Sequence, residues 1–397
     1  MVLLGHLFAR PAASLRTQFA LSGLLDPPPI EEGVGVKRPR KAPQPRVGNL
    51  ESTVPLDRWR HGCYDSPWWK QHFCNDAVWE RGTWWYLEFR KKFRVPPCLF
   101  LELKRETMLD ERFADSGTPG WFKKRGPPRA SLDMKMVACL RILATGCQFD
   151  AFEEAAGLDK ETVRRFFHHW MEHLATNVAP LHIKWPEGEE VDANMEIYKK
   201  LGFPGAIMST DATHVPWDRV PCTQHADHTG KEKFPSLVFN AHVTHDRQFR
   251  HVESAQAGAR NDKTLAHYDE LMQAIKDGLY NDKIFEVYDI DGSLKQVSGL
   301  YLICDGGYHQ WRCLQFPLKY ASDIWARRWS KRMESVRKDV ECSFGILKQR
   351  FRILKVPFLL KGHCPKRNTT LLHTCILSSS SSPPLAPSLS PCRCQGH

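Results

Sequence analysis

Ile207-Met-Ser-Thr-Asp-Ala-Thr-His214 is the stretch on which the reading of this chain turns. It follows Gly202-Phe-Pro-Gly205, residues that punctuate regular structure. From residue 206 onward the pattern becomes that of strands. Residues 206–210 are short and apolar and run directly into an acid, Asp211. Residues 236–244 alternate, with Leu237, Phe239, Ala241 and Val243 sharing one side. Residues 249–255 follow after His245-Asp-Arg247, which reads as a hairpin turn. A helical stretch over 262–279 comes next, then a buried strand over 300–304. Between them, Asp289 and Asp291 in Tyr288-Asp-Ile-Asp-Gly292 read as turn residues. A long amphipathic helix closes the pattern, with Val340, Phe344, Leu347 and Phe351 recurring at helical spacing.

This β-β-β-α-β-α order predicts an α/β fold, a mixed sheet flanked by helices, and it is the order of the RNase H-like core. In that arrangement the first strand lies beside the fourth. Asp211 at the end of the first strand then neighbours Asp305 in Leu302-Ile-Cys-Asp-Gly-Gly-Tyr308 at the end of the fourth. Glu341 comes one residue after Val340 and three before Phe344, at the edge of the apolar stripe. A helix crossing the sheet brings it toward both aspartates. Between Asp305 and Glu341 lie 35 residues, and this D…D-x35-E spacing is similar to that of retroviral integrases and many cut-and-paste transposases. Carboxylates gathered from distant elements suit a hard divalent cation, because Mg²⁺ takes oxygen ligands. Two such ions clamp both oxygens of an in-line phosphoryl displacement. Asp211, Asp305 and Glu341 are therefore the candidate catalytic residues. Asp262, in Gly258-Ala-Arg-Asn-Asp-Lys-Thr264, follows the third strand and admits two roles. It is either a further metal ligand or an acid favoured by the dipole at a helix N-terminus.

The whole composition is compatible with this chemistry. The 397 residues carry a net charge of +11 and a pI near 9.0, which favours an anionic partner. The apolar and charged fractions are those of a globular protein, and no apolar run reaches the roughly 18 residues that a membrane span requires. The 13 cysteines, odd in number and scattered, read as reduced thiols. His61/Cys63, His72/Cys74 and Cys222/His225/His228 are the only groupings that suggest zinc, and none has a standard finger spacing.

The chain divides into six regions. Residues 1–56 read as a disordered, basic and proline-rich region. Its first 25 residues weakly resemble an organelle presequence, and Lys37-Arg-Pro-Arg-Lys41 reads as a nuclear import signal, a DNA-contacting arm or a solvated linker. Residues 57–128 are rich in tryptophan and helical, and core packing is the favoured use of those rings over base stacking. Residues 129–176 read as a helix, a glycine turn, and a further helix that Asp159 caps and that opens with Lys160, Thr162, Arg164 and Arg165. That outline fits a helix-turn-helix-like domain whose last helix meets DNA, and it fits equally a plain bundle with a basic face. Residues 177–205 form a connector, 206–376 the α/β domain, and 377–397 a Ser/Pro-rich tail expected to be disordered.

Taken together, five blocks resemble the PIF/Harbinger superfamily of DDE transposases and its domesticated nuclease relatives. They are Ser209-Thr-Asp-Ala-Thr-His214, Gly230-Lys-Glu-Lys-Phe-Pro-Ser236, Gly258-Ala-Arg-Asn-Asp-Lys-Thr264, Cys304-Asp-Gly-Gly-Tyr308 and Val340-Glu-Cys-Ser-Phe-Gly-Ile-Leu-Lys348. The resemblance implies a nuclear, metal-dependent DNA endonuclease that cuts and joins strands with two Mg²⁺ or Mn²⁺ ions. Asp211, Asp305 and Glu341 carry over as the catalytic triad and, with Asp262, as metal ligands. His214, Lys348 and Arg350 carry over as DNA contacts. DNA at the element ends and target is the implied partner, a Myb-like helper protein can accompany it, and a homo-oligomer is compatible with the resemblance. The sequence departs from the family at Ala212, where a glycine is usual, and after Thr374-Cys-Ile-Leu377, where a His-Asn-containing helix is usual. The second departure keeps open an alternative, a catalytically silent DNA-binding protein that retains the fold.

Overall fold

The computed structural model describes residues 62–114, 130–289, 291–320, 323–357, 372–373 and 375–376. The presequence-like and basic segments and the Ser/Pro-rich tail lie outside the described residues.

The tryptophan-rich part is helical. It comprises α1 (Pro67–His72), α2 (Trp84–Phe93) and α3 (Pro97–Met108). Phe89, Phe93, Phe100 and Leu103 are buried, as their spacing predicts. Trp68 is buried against Phe93 and Phe152, and Trp79 packs on Phe89 and Phe100. Most of these rings therefore serve the core, with Trp84 the exposed exception at 62%. Next come α4 (Leu132–Thr145) and α5 (Lys160–His173). Between them a short helical turn, Glu153–Ala156, is ended by Gly157 at φ 62°, a conformation that suits glycine. Asp159 caps α5 by accepting from the N–H groups of Glu161 and Thr162. The segment read as a connector contains a helix of its own, α6 (Glu189–Lys200). Its acidic first turn and Lys199-Lys200 last turn match the helix dipole, and burial of Val191 and Tyr198 holds it to the sheet.

The sheet is mixed. Its strands are β1 (Ala206–Pro216), β2 (Ser236–Val243), β3 (Phe249–Val252), β4 (Gln256–Ala257), β7 (Tyr301–Ile303) and β8 (Leu314–Gln315). The order is β3-β2-β1-β7-β8, with β4 pairing β2. β1 is antiparallel to β2 and parallel to β7. Three details differ from the sequence reading. β1 continues to Pro216, so Asp211 lies inside the strand and not at its end, because pairing with β2 persists that far. The helix expected over 262–279 is two, α7 (Asp262–Tyr268) and α8 (Glu270–Lys276), broken at Asp269, which ends one and caps the other. A separate hairpin, β5 (Ile284–Tyr288) with β6 (Leu294–Ser298), carries Asp289 and Asp291 in its turn.

The long helix α9 (Ile324–Arg350) closes the fold, and Phe351 just beyond it is fully buried. Leu237, Phe239, Ala241 and Val243 of β2 and Val340, Phe344, Leu347 and Phe351 share one continuous core with α2 to α5. A second cluster joins Ile207, Leu302 and Cys304 to Leu271, Met272 and Ile275 of α8. Among the described residues, no helix is long and apolar enough to cross a membrane, and the cysteines are free thiols. Replacing Phe351 with Ala should lower unfolding stability by about 3–5 kcal/mol in urea titrations. A loss below about 1 kcal/mol would show that the helical part and the sheet do not share that core.

Candidate metal centre

The parallel pairing of β1 with β7 ends at Ser209 and Ile303. Beyond it β1 runs on beside β2 alone, with Asp211 opposite Ala241, while the chain of β7 turns away through Cys304-Asp305-Gly306-Gly307-Tyr308. Asp211 and Asp305 therefore stand where two strands separate. Asp305 Oδ1 accepts the Gly307 N–H at 2.8 Å, and Asp211 Oδ1 accepts that of Ala212 at 2.9 Å.

Gly307 brings in the third acid. A methyl group there would overlap Asp262 Oδ2 and come to 2.9 Å of Asp305 Oδ1. The bare backbone is what allows these carboxylates to lie on either side of it. Asp262 opens α7, whose N-cap is Asn261, accepting the Thr264 N–H at 2.9 Å. The fourth acid, Glu341, lies on the exposed edge of α9. One turn earlier, Arg337 reaches Glu341 Oε1 at 2.6 Å and Asp211 Oδ2 at 3.2 Å. Its guanidinium bridges the strand and the helix.

The charges report the same convergence. Burial pushes the Asp211 carboxyl up, the Ala212 N–H and Arg337 oppose it, and the Asp305 and Glu341 charges push it further, to about 6. Asp262 is raised by burial first and then by Asp305. Burial opposes the charge on Arg337, but Asp211, Glu341 and Asp305 together hold it more firmly protonated. Asp211 thus feels Asp305 and Glu341, and Asp262 feels Asp305, although among the described residues no three of the four acids offer oxygens within 4.8 Å of one another.

A different group does meet that distance: His251, Glu253 and Asp269. It is poorly prepared for a cation. Trp185 Nε1–H, which can only donate, points at His251 Nδ1 at 3.2 Å. That places the ring proton on Nε2, the atom facing Glu253 at 3.6 Å, and a protonated nitrogen is not a ligand. Asp269 is already supplied with donors by Asn240, His242 and the Met272 N–H. Among the described residues the cysteine–histidine groupings do not gather either. Cys63 is buried and accepts the Ser131 N–H, while Cys222 is exposed and His228 Nδ1 faces the Ser236 carbonyl at 3.0 Å. His61 lies outside the described residues.

The residues expected at DNA are dispersed. Lys160, Arg164 and Arg165 are exposed on α5 and Thr162 is half-buried. Both arginines are engaged by Glu161, at 2.7 Å each. His214 Nδ1 pairs with Ser236 Oγ at 3.0 Å, and its carbonyl accepts from Lys348 Nζ at 2.8 Å. Burial lowers the proton affinity of both side chains. Arg350 is half-buried near Arg90 and Arg94. Sequence reasoning passed over Arg337 and Gly307. The signal for Arg337 was its place four residues before Glu341, a spacing that pairs charges on one helix face. For Gly307 there was none, since its neighbour Asp262 is distant in sequence.

Because Asp211 is raised by the fold, its neutral form is favoured in the folded state. The stability it contributes is full below about pH 4 and is lost as pH rises through about 6. Asp211→Asn, neutral at every pH, should therefore unfold at higher urea than wild type at pH 7.5, by about 1–3 kcal/mol. That gap should close at pH 4. A variant no more stable than wild type at pH 7.5 would contradict the assigned burial and repulsion.

A family model described as plant transposon protein matches residues 181–379, half of the chain. No curated protein and no solved structure matches it. The matched stretch contains β1, α7, the loop after β7 and α9, the elements that bear all four acids. On that match the chain belongs to the plant transposon protein family.

Proposed function

We propose that this transposon-derived chain is a DDE-type nuclease or transposase of the PIF/Harbinger kind, cutting and joining DNA with divalent metal ions. The observation that carries the reading is the convergence of Asp211, Asp262, Asp305 and Glu341 from four separate elements onto Gly307 and Arg337. The sheet order β3-β2-β1-β7-β8, with the first three strands antiparallel and the rest parallel, supports an RNase H-like core.

The donor set fits Mg²⁺ or Mn²⁺, since it is all carboxylate oxygen and short of positive charge: Asp211 and Asp262 are both raised. Asp211, Asp262, Asp305 and Glu341 would hold the ions. When bound, two such ions supply Lewis-acid stabilisation of the phosphoryl oxygens and a more acidic water. The chain's own part is to hold Asp211, Asp262 and Asp305 half-buried, with Glu341 at the exposed edge beside them. Arg337 keeps Asp211 and Glu341 paired to a positive charge, so their mutual repulsion does not splay strand and helix apart.

The helix bearing Glu341 also suits a polyanion. Arg327, Lys331 and Lys338 are exposed and make no ion pair among the described residues. At about 100° per residue they fall on the same face as Glu341. This row would track DNA phosphates toward the acids. We count the exposed start of α5, with Lys160, Arg164 and Arg165, among further DNA contacts, in a helix-turn-helix-like role. His214, Lys348 and Arg350 belong in this reading as residues close to the DNA path. DNA ends and target are the partners, in the nucleus, with a Myb-like helper and self-association as further expectations.

A second reading is a catalytically silent DNA-binding protein. It draws on Arg337, whose ion pairs already occupy Asp211 and Glu341.

The two readings separate in a cleavage assay. Wild type with a plasmid carrying the element ends should nick it only when Mg²⁺ or Mn²⁺ is present, and Asp305→Asn should lose that activity. Metal-dependent nicking no greater than that of the variant would leave the silent reading. A second measurement tests the basic row. Changing Arg327, Lys331 and Lys338 together to Ala should make the slope of log affinity against log salt shallower, by about 0.9 for each phosphate that the row neutralises in wild type. An unchanged slope would remove the row from the DNA path.

A further inference from the structure

Asp269 is a fully buried carboxylate that the proposed chemistry does not use. It sits at the break between α7 and α8 and accepts the Met272 N–H at 2.8 Å. Its other oxygen faces the sheet, where it accepts from Asn240 Nδ2 at 2.6 Å and from His242 Nε2 at 2.8 Å. Burial alone would raise this acid, yet His242, His251 and the Met272 N–H hold it below its ordinary value, so it stays ionised. The amide of Asn240 is thereby oriented. With its nitrogen committed to Asp269, its Oδ1 points the other way and accepts from the Tyr308 hydroxyl at 2.7 Å and the Thr210 hydroxyl at 3.5 Å.

Three of the four segments joined by this network carry one of the acids each, and the fourth, β2, supplies Asn240 and His242 between them. Asp269 ends α7, the helix that begins with Asp262. Thr210 immediately precedes Asp211, and Asn240 is the cross-strand partner of Ala212, which follows it. Tyr308 ends the loop that begins at Asp305. The acids themselves repel one another, so nothing in their own chemistry sets their spacing. The network lies on the face of the sheet opposite to Ala241 and the α9 contact, and it is buried away from water.

We infer that Asn240, Asp269 and Tyr308 are positioning residues that fix Asp211, Asp262 and Asp305 relative to one another as a cation-binding set. The inference rests on the reading of those acids as a metal centre. Glu341 stands outside the network, and Arg337 links it to Asp211. The donors and acceptors match in a single sense: carboxylate, amide nitrogen, amide oxygen, hydroxyl. Loss of the Tyr308 hydroxyl leaves Asn240 Oδ1 with the longer Thr210 contact alone and removes the hydrogen bond that ties the Asp305 loop to β2.

Tyr308→Phe in the full chain tests this, because the ring and its packing remain. Two readouts are taken alongside urea unfolding: Mn²⁺ affinity by calorimetry and amide hydrogen exchange of residues 302–312. Supporting partners of metal ligands cost roughly 10–100-fold in affinity when removed, so Mn²⁺ should bind the variant at least about tenfold more weakly. Exchange over 302–312 should be faster in the variant while exchange over 132–145 in α4 is unchanged. Equal exchange over 302–312 in the two proteins overturns the inference, as does Mn²⁺ affinity equal to that of wild type. Asp305→Asn serves as the control on the underlying reading. If that variant binds Mn²⁺ as wild type does, the metal centre itself is wrong and the positioning role falls with it. If it does not bind and Tyr308→Phe binds normally, the inference alone falls.

Discussion

The pairing of β1 on both of its edges is the constraint on which the site depends. Antiparallel to β2 and parallel to β7, this strand is fixed in register from either side, and a shift of one residue would turn Asp211 to the opposite face. β7 is short and parts from β1 after Ile303, so Asp305 leaves the sheet beside Asp211 and not further along it. The whole of β2 is buried, which makes its alternation consequential. Its apolar residues pack toward α9 and the helical part, and Asn240 and His242 face the helices on the other side.

A cluster of acids is unfavourable to assemble, and the structure shows how that cost is contained. Arg337 places one guanidinium between Asp211 and Glu341, and Gly307 removes the side chain that would otherwise separate Asp262 from Asp305. What remains uncompensated appears as raised carboxyls at Asp211 and Asp262. Groups perturbed by burial and by each other are concentrated at functional sites, though structural networks perturb them as well. Asp269 illustrates the difference. It is buried more deeply than the candidate ligands yet lowered, because it is fully supplied with donors, and so it reads as a fastener and not as a ligand.

Much of the architecture was legible in the chain. The alternation of Leu237, Phe239, Ala241 and Val243, the stripe of Val340, Phe344 and Leu347, and the Gly157 and Asp159 signals around α5 all correspond to observed elements. The differences are local and have physical causes. β1 outruns its apolar start because Asp211, Thr213 and His214 are polar, yet strand pairing with β2 tolerates them. The break at Asp269 is invisible to periodicity because the apolar pattern continues across it, and only the His242 and Asn240 contacts explain an acid there. α6 is hidden by the surrounding prolines and glycines of the connector.

By itself the sequence determined the order of the main elements, three strands, a helical stretch, a further strand and a closing helix, and that Asp305 follows a strand while Glu341 edges that helix's apolar stripe, because periodicity and turn residues are local properties. It also determined that the candidate ligands are carboxylates on a chain of net positive charge. Tertiary structure alone decided that Asp262 joins Asp305 across Gly307, that Arg337 spans Asp211 and Glu341, and that Asp269 ties the acid-bearing segments together through Asn240 and Tyr308. These are contacts between residues far apart in the chain. Their strength depends on distance and burial, quantities that no local pattern of residues contains.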